Sequence, residues 1–412
     1  MQNKDNIIVG LDIGTTKICA VVGEIYDNSV NIIGVGTHPS EGLRKGVVVN
    51  IESTVESIKK AVEEAELMAS CEISSVYVGI AGGHIDSINS EGIIAIKGPE
   101  ITTRDVERVI EAARAVAIPM EREVIHVLPQ EYIVDGEAGI LNPVGMSGVR
   151  LEAKVHIVTG AVAAAHNLVK CANRAGLDVC DTVLESLASG EAVLTEEERK
   201  LGVALLDLGG GTSDLAIFSN GNIRHTFVLA LGGDTLTNDI STVMRAPQAE
   251  AEKIKIKYGT CLPSSVSADE TIEVPGMGGR GPRRLPRQVL AEILEPRMEE
   301  IYTLCNRNLQ ENRMTPFATS GLVITGGTAM LDGVVEISES VFGLPARLGK
   351  PMGVKGLADI VSNPMYATGV GLVLYGARYG KSPAKPGRMR MRDQNIFDHL
   401  LGRMKKWFQD II

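Results

Sequence analysis

Two short segments of this chain, about half its length apart, carry the same set of phosphate-handling groups. The first reads Leu11-Asp12-Ile13-Gly14-Thr15-Thr16-Lys17 and the second Leu206-Asp207-Leu208-Gly209-Gly210-Gly211-Thr212-Ser213-Asp214. A phosphate chain needs several donors at close range. Backbone N–H groups supply them only where no side chain blocks the approach, which glycine allows. Thr15, Thr16, Thr212 and Ser213 add hydroxyls, and Lys17 adds a positive charge. Magnesium prefers oxygen ligands and keeps several waters, so one or two carboxylates suffice to hold it. Asp12 and Asp207 stand at equivalent places, as expected if they flank one Mg2+ through water. A single Asp-x-Gly is an ordinary strand-to-turn signal; its recurrence with matching flanks carries the reading.

Apolar runs must hold these turns in place. Ile7-Ile8-Val9 precedes the first and Val203-Ala204-Leu205 the second. Each turn is followed by an apolar stretch, a polar turn and another apolar stretch: Ile18 to Val22 and Ile32 to Val35 around Asp27-Asn28-Ser29, then Leu215 to Phe218 and Phe227 to Leu231 around Asn220-Gly221-Asn222. Such runs bounded by turn residues read as strands. The pattern predicts two homologous strand-turn-strand units, in two halves that close on one phosphorylated ligand. Further along, the buried-type strand Leu322 to Thr325 breaks into Gly326-Gly327, a turn flat enough to lie against a base or an α-phosphate. A second pair, Gly232-Gly233, follows the third strand of the second unit. Glu252 and Lys255 fall on one helical face; they could reach ribose hydroxyls or simply pair in solvent. Other nucleotide folds fit worse. Gly380-Lys381-Ser382 ends like a P-loop, but Tyr375 stands where that loop needs its first glycine. No Gly-x-Gly-x-x-Gly follows a strand, so a dinucleotide fold is unsupported.

At 412 residues the chain is long enough for more than one domain, each with its own core. Aromatics make up 4%, so those cores must rest on aliphatic residues. Cys19, Cys71, Cys171, Cys180, Cys261 and Cys305 form no Cys-x-x-Cys pair and sit mostly in apolar runs, which predicts reduced, buried thiols. The histidines make no zinc-like cluster. Lys4 and Asp5 lead straight into the first strand, without a secretory-leader pattern. No apolar stretch is long and uncharged enough to span a bilayer. The net charge of −10 argues against nonspecific nucleic-acid binding.

That charge is uneven, because residues 381–412 hold eight Lys or Arg against three Asp. Residues 380–395 are rich in Pro, Gly and Arg and read as a flexible basic linker. Beyond them Ile396, Phe397, Leu400, Leu401, Met404, Trp407, Phe408, Ile411 and Ile412 recur at helical steps. Arg403 and Lys406 fall toward the other side, with Lys405 beside them. An amphipathic helix of this kind, over 396–412, lies in a membrane interface with its lysines toward anionic lipid phosphates. Burying each large apolar side chain is worth roughly 1.5–3 kcal/mol before ordering costs.

The ordered set of Asp12-Ile-Gly-Thr-Thr, Asp207-Leu-Gly-Gly-Gly-Thr, Gly232-Gly-Asp, Glu252-x-x-Lys255 and Thr325-Gly-Gly327 resembles the actin-like ATPase superfamily. The tail and the stretches Asn6 to Lys17, Val76 to His84, His126 to Gly136 and His156 to Thr159 make the chain similar to the FtsA group of bacterial cell-division actin homologues. That resemblance implies an α/β actin-like fold of two duplicated halves around a nucleotide cleft, with ATP and Mg2+ as ligands. It implies that the two Asp-x-Gly turns bind the β- and γ-phosphates from opposite sides, and that Gly326-Gly327 meets the adenosine. The segments Leu184 to Leu194 and Asn363 to Leu372 then become linking helices, whose small residues permit close packing. Glu185, by the same resemblance, is the acid nearest the attacking water, beside Asp12 and Asp207. Gln130 is less favoured for that role because it falls in an inserted unit.

The resemblance also implies a division of the chain: subdomain 1A over 1–83 and 164–200, an inserted subdomain 1C over 84–163, 2A over 201–232 and 322–379, and 2B over 233–321. The 1C sequence supports a separate unit, with strands Gly92 to Ile96, Glu123 to Leu128 and Val149 to Val158 around a helix from Thr103 to about Ala117. By resemblance 2B takes the C-terminal tail of the tubulin-like protein FtsZ, and the basic loop Gly276 to Arg287 offers charge for an acidic segment. The same resemblance implies that 1C contributes filament contacts and receives later division proteins. The expected function is an ATP-binding scaffold that polymerises head to tail on the inner face of the cytoplasmic membrane and ties the FtsZ ring to it, with slow ATP turnover. The alternative is a small-molecule phosphotransferase of sugar-kinase type, for which a lone acid such as Asp234 would serve as acceptor base. A chaperone-like ATPase needs a peptide-binding β domain after the nucleotide domain, where this sequence shows a linker and one helix.

Overall fold

Each phosphate motif sits in the bend of an antiparallel hairpin. Ile7–Ile13 runs against Lys17–Tyr26, which pairs in turn with Ser29–Pro39. Val203–Leu208 runs against Ser213–Ser219, which pairs with Asn222–Leu229. The computed structural model that shows this describes residues 6–27, 29–276 and 281–380. The expected linker, the amphipathic helix and residues 277–280 of the basic loop lie outside the described residues.

Both sheets then grow by the same topology. In the first, Ser75–Ile80 joins Ile7–Ile13 in parallel and Asp178–Leu184 joins Ser75–Ile80. In the second, Leu322–Thr325 joins Val203–Leu208 in parallel and Ala346–Leu348 joins Leu322–Thr325. Strands buried on both faces read as continuous apolar runs, and Val203–Leu208 is buried throughout. The duplicated halves anticipated from the motifs are therefore duplicated in strand order and direction.

The halves are interlocked. The short strand Val354–Gly356, from the 322–379 range assigned by sequence to the second half, pairs in parallel with Ser29–Pro39 at the first sheet's edge. The helix Glu185–Val193 leaves the first sheet and the helix Ala367–Tyr379 returns to it. They cross so closely that a Cβ on Gly371 would stand 1.8 Å from the Ala188 carbonyl oxygen. The small residues read as permitting close helix packing do so here. One apolar cluster spans the junction, with Val21, Val35, Val193, Leu205, Phe218 and Val370 in common contact.

Residues 86–161 form a third sheet, in the order Asp86–Ala95, Arg150–Ala161, Arg122–Val134 and Glu137–Ile140, with the helix Thr103–Arg114 on one face. That helix begins with a capping box, Thr102 accepting from the Asp105 N–H while the Asp105 carboxylate accepts from Thr102 N–H. All three expected strands run beyond the sequence expectation, as Asp86–Ala95, Arg122–Val134 and Arg150–Ala161. Arg122–Val134 continues through Pro129, which ordinarily stops a central strand. A register shift between Lys154 and Val155 opposite Pro129 absorbs the missing N–H. Cys19, Cys171, Cys261 and Cys305 are buried thiols as expected, but Cys180 is exposed. It lies on an outermost strand of the first sheet, Asp178–Leu184, where alternate side chains face out.

Replacing Gly371 by alanine sets helix preference, a gain of about 1 kcal/mol, against a clash with backbone that cannot swing away. The clash dominates: urea unfolding of Gly371→Ala is expected to show a net loss of about 1–3 kcal/mol, and a gain would contradict the helix crossing.

Candidate nucleotide site

The two glycine turns close in the same way, Gly14 N–H donating to the Lys17 carbonyl at 3.1 Å and Gly209 N–H to the Thr212 carbonyl at 2.9 Å. They face each other in direct contact. A Cβ on Gly210 would lie 2.5 Å from Thr16 Oγ1, and one on Gly211 would lie 2.3 Å from Thr15 Oγ1. Gly326 has φ +92° and leaves room for Asp207 Oδ1, which its own Cβ would meet at 2.4 Å. Side chains at these positions would fill the space between the halves.

A cavity of about 410 Å³ opens between the turns. Asp12, Gly14, Thr15, Thr16 and Lys17 line it from one side and Asp207, Gly209, Gly210, Gly211 and Thr212 from the other, with Glu185 among them. Glu252, Lys255, Gly326 and Gly327 complete the far end. The sequence reading thus brought together residues separated by more than half the chain. Gly232 and Gly233 do not line the cavity. They brace its wall: Gly233 N–H donates to the Gly209 carbonyl at 3.0 Å and Asp234 N–H to the Gly210 carbonyl at 2.8 Å. Asp234 is likewise absent from the lining, which leaves the acceptor-base alternative without its acid in the cleft.

Several lining residues had no sequence signal. Ile256 and Met330, both well exposed, place apolar side chains at the mouth beside Leu331 and Met365. This rim suits the flat face of a base. Thr328 donates its hydroxyl to the Gly209 carbonyl at 2.8 Å. Lys17 Nζ donates to the Met365 carbonyl at 2.7 Å and lies 4.5 Å from the centre of the Tyr366 ring. Glu252 and Lys255 form an ion pair of 2.8 Å, yet not a solvated one, because Lys255 is buried and also donates to Gly233 O and Thr237 Oγ1. Gln130 is committed elsewhere, donating from Nε2 to the carbonyls of Ile223 and Arg224.

Electrostatically the cleft is strained. Burial pushes the Asp12 carboxyl up to about 6, with the Lys17 ammonium opposing and Asp207 adding to it. Burial likewise raises Asp207 to about 6, against hydrogen bonds that include one from Thr368 at 3.2 Å. Glu185 is held well above the usual carboxylate range by burial and by Asp12, Asp214 and Asp207. Glu185 opens its helix without a side-chain capping bond, so it is not there as a cap.

The fourth acid, Asp214, was missed as a site residue. It pairs across the hairpin with Asp207, the place that Cys19 occupies opposite Asp12. Extending the first motif two residues, to Cys19, would have shown that asymmetry. Thr212 Oγ1 donates to Asp214 Oδ2 at 2.8 Å, while its buried Oδ1 has no partner. Burial and Asp207 raise its carboxyl to about 7.

This donor set fits a hydrated magnesium ion bound with phosphate. Among the described residues no group of three acidic, Cys or His ligands converges on one point. Two aspartates on facing turns within a negative field suit an ion that keeps its waters. A surface hollow of about 630 Å³, lined by Glu63, Glu66, Leu67, Ser70, Cys71 and Glu72, has carboxylates but no glycine turn and no cation for a phosphate.

The family models give the same architecture a lineage. The model described as "Cell division protein FtsA" matches residues 204–371, and "SHS2 domain inserted in FTSA" matches 82–159. The chain is 52% identical to the cell division protein FtsA of Pseudomonas aeruginosa, over 98% of this chain and 97% of that one. It is 42% identical to the protein of that name from Neisseria meningitidis over the full length of both. The Escherichia coli K12 protein is 45% identical over 90% of each chain. Among solved structures, a PilM–PilN type IV pilus biogenesis complex aligns with TM-score 0.64 at 18% identity, covering 90% of this chain and 98% of that one. MreB5 of Spiroplasma citri bound to ADP aligns with TM-score 0.51 at 16% identity, covering 90% and 96%. The fold is the actin-like ATPase fold with an SHS2 insertion.

The raised carboxyls fix the sign of a pH effect. A carboxyl whose pKa is higher folded than unfolded is ionised first in the unfolded chain, so stability is lost as pH rises between the two values. For Asp207 that window runs from its ordinary 3.8 to about 6. In EDTA and without nucleotide, Asp207→Asn should melt higher than wild type, by a margin that grows from pH 4 to 6 and then levels. Scanning calorimetry checks this, and a margin that shrinks across the window contradicts the buried, repelled carboxylate.

Proposed function

Because the chain belongs to the FtsA family of cell-division proteins, we propose that it is an ATP-binding scaffold that assembles on the inner face of the cytoplasmic membrane at the division septum. The observation that carries this is the meeting of two duplicated phosphate turns around one acidic cavity. Gly14 to Lys17 and Gly209 to Thr212 bind the phosphates from opposite sides, and Asp12 and Asp207 hold Mg2+ through water. The metal supplies positive charge that screens phosphates and carboxylates from one another. Ile256, Met330 and Gly326-Gly327 receive the base and its sugar. Glu185, whose carboxyl is raised by burial and by Asp12, Asp214 and Asp207, is the acid nearest the attacking water, and ATP turnover is slow.

A ligand gripped by both halves fixes the angle between them. Protomers then join head to tail, a heterologous contact that gives open filaments. Residues 84–163 take part in that contact and receive later division proteins, and residues 233–321 bind the C-terminal tail of FtsZ. Phe397, Leu400, Leu401, Met404, Trp407, Phe408 and Ile411, flanked by Arg403, Lys405 and Lys406, attach the filament to anionic lipid. Many weak anchors along one filament bind as a strong one.

Two measurements test this reading. Vesicle flotation should recover the full chain with anionic liposomes and leave a variant lacking residues 396–412 in the soluble fraction; flotation of the truncated protein sinks the anchor. Asp207→Ala should weaken Mg-ATP binding in titration calorimetry by about tenfold or more, and unchanged affinity removes the cleft from the proposal.

A further inference from the structure

The inserted sheet is joined covalently to the first half, between Ser75–Ile80 and the helix Val162–Arg174. Its other attachment is not covalent. It grips the outer strand of the second sheet, Asn222–Leu229, through side chains that bond that strand's free edge. Gln130 Nε2 donates to the Ile223 carbonyl at 3.1 Å and the Arg224 carbonyl at 2.9 Å. Asn222 Nδ2 donates back to the Gln130 carbonyl at 3.1 Å, and Ser87 Oγ donates to the Thr226 carbonyl at 3.0 Å. His156 lies between them with both ring nitrogens engaged, Nδ1 to Asn89 Oδ1 at 2.7 Å and Nε2 to Thr226 Oγ1 at 2.8 Å. The Asn89 oxygen can only accept, so Nδ1 carries the proton and Nε2 accepts from the Thr226 hydroxyl.

These groups are 1–8% exposed at Gln130, His156, Asn222 and Thr226. Buried donors and acceptors left unpaired are costly, so the set holds together or parts together. The gripped strand also leads into the cleft. It pairs Val228 with Asp214 and Leu229 with Ser213, and Ser213 Oγ holds the Leu231 carbonyl at 2.8 Å. Two residues later Gly233 and Asp234 bond the carbonyls of Gly209 and Gly210.

We propose that the Gln130–Asn222 and His156–Thr226 bonds are a strut that positions the second phosphate turn, coupling the inserted sheet to the nucleotide cleft. Gln130 and His156 are positioning residues that act through the strand Asn222–Leu229. Whatever displaces the inserted sheet then loosens the turn Gly209 to Gly211, and whatever fixes that turn stiffens the inserted sheet by the same factor.

Hydrogen exchange read by mass spectrometry on the full chain, without nucleotide, tests the strut independently of the ATP reading. In Gln130→Ala and in Asn222→Ala, amides of Gly209 to Gly211 and Leu231 to Gly233 should exchange about fivefold faster or more. The strand Val203–Leu208, deep in the same half, should keep its protection and so report that the half is folded. Turn amides that exchange at the wild-type rate in both variants overturn the proposal, even if the inserted helix Thr103–Arg114 loses protection. Should Gln130→Ala fail to fold, Asn222→Ala, which removes one bond from the opposite side, decides alone.

Discussion

Four carboxyls, Asp12, Glu185, Asp207 and Asp214, share one buried cleft, and the rest of the molecule is built to keep them there. Left to themselves they would move apart or draw in water. They stay because each is fixed to a rigid element: two to the ends of facing hairpins, one across a hairpin, one to the start of a helix. In the free protein the carboxyls keep their protons to higher pH, which eases the repulsion; a magnesium ion bound between Asp12 and Asp207 would ease it in the same way. An active cleft that weakens its own fold in this way is an expected cost of function.

What opposes the repulsion is packing between the halves. The helices Glu185–Val193 and Ala367–Tyr379 touch backbone to backbone, and aliphatic residues from both sheets share one cluster around them. Nearly all of this apolar surface comes from Val, Ile, Leu and Ala. A protein with few aromatics must gain its burial from many small contacts, which favours close fit over bulk.

The phosphate turns, their flanking strands and the order of the cleft residues were legible because duplication repeats a pattern within a single chain. One copy of Asp-x-Gly says little; two with matched strands fix an architecture. Asp214 escaped because the repeat was read by its shared residues, while this acid is where the copies differ. The Arg122–Val134 strand was cut short at Pro129, since local rules see the proline and not the register shift across from it. Val354–Gly356 is too short to announce itself, and its partner strand is distant in sequence. The polar grip of Gln130 and His156 on a strand ninety-odd and seventy residues later left no periodic trace. Long-range side-chain bonds of that kind depend on the finished fold.

The exchange of Val354–Gly356 into the opposite sheet also bears on how the chain is made. On the ribosome, the amino-terminal hairpin emerges early, but the strand that caps its edge at Val30 is Val354, and the helix that covers Gly10 contributes Gly369 and Leu372. The first half therefore waits, with an apolar face and an open strand edge, until residues 354–379 have been made. Such an interval invites edge-to-edge association between nascent chains. Residues 354–356 thus complete the sheet that residues 7–39 begin.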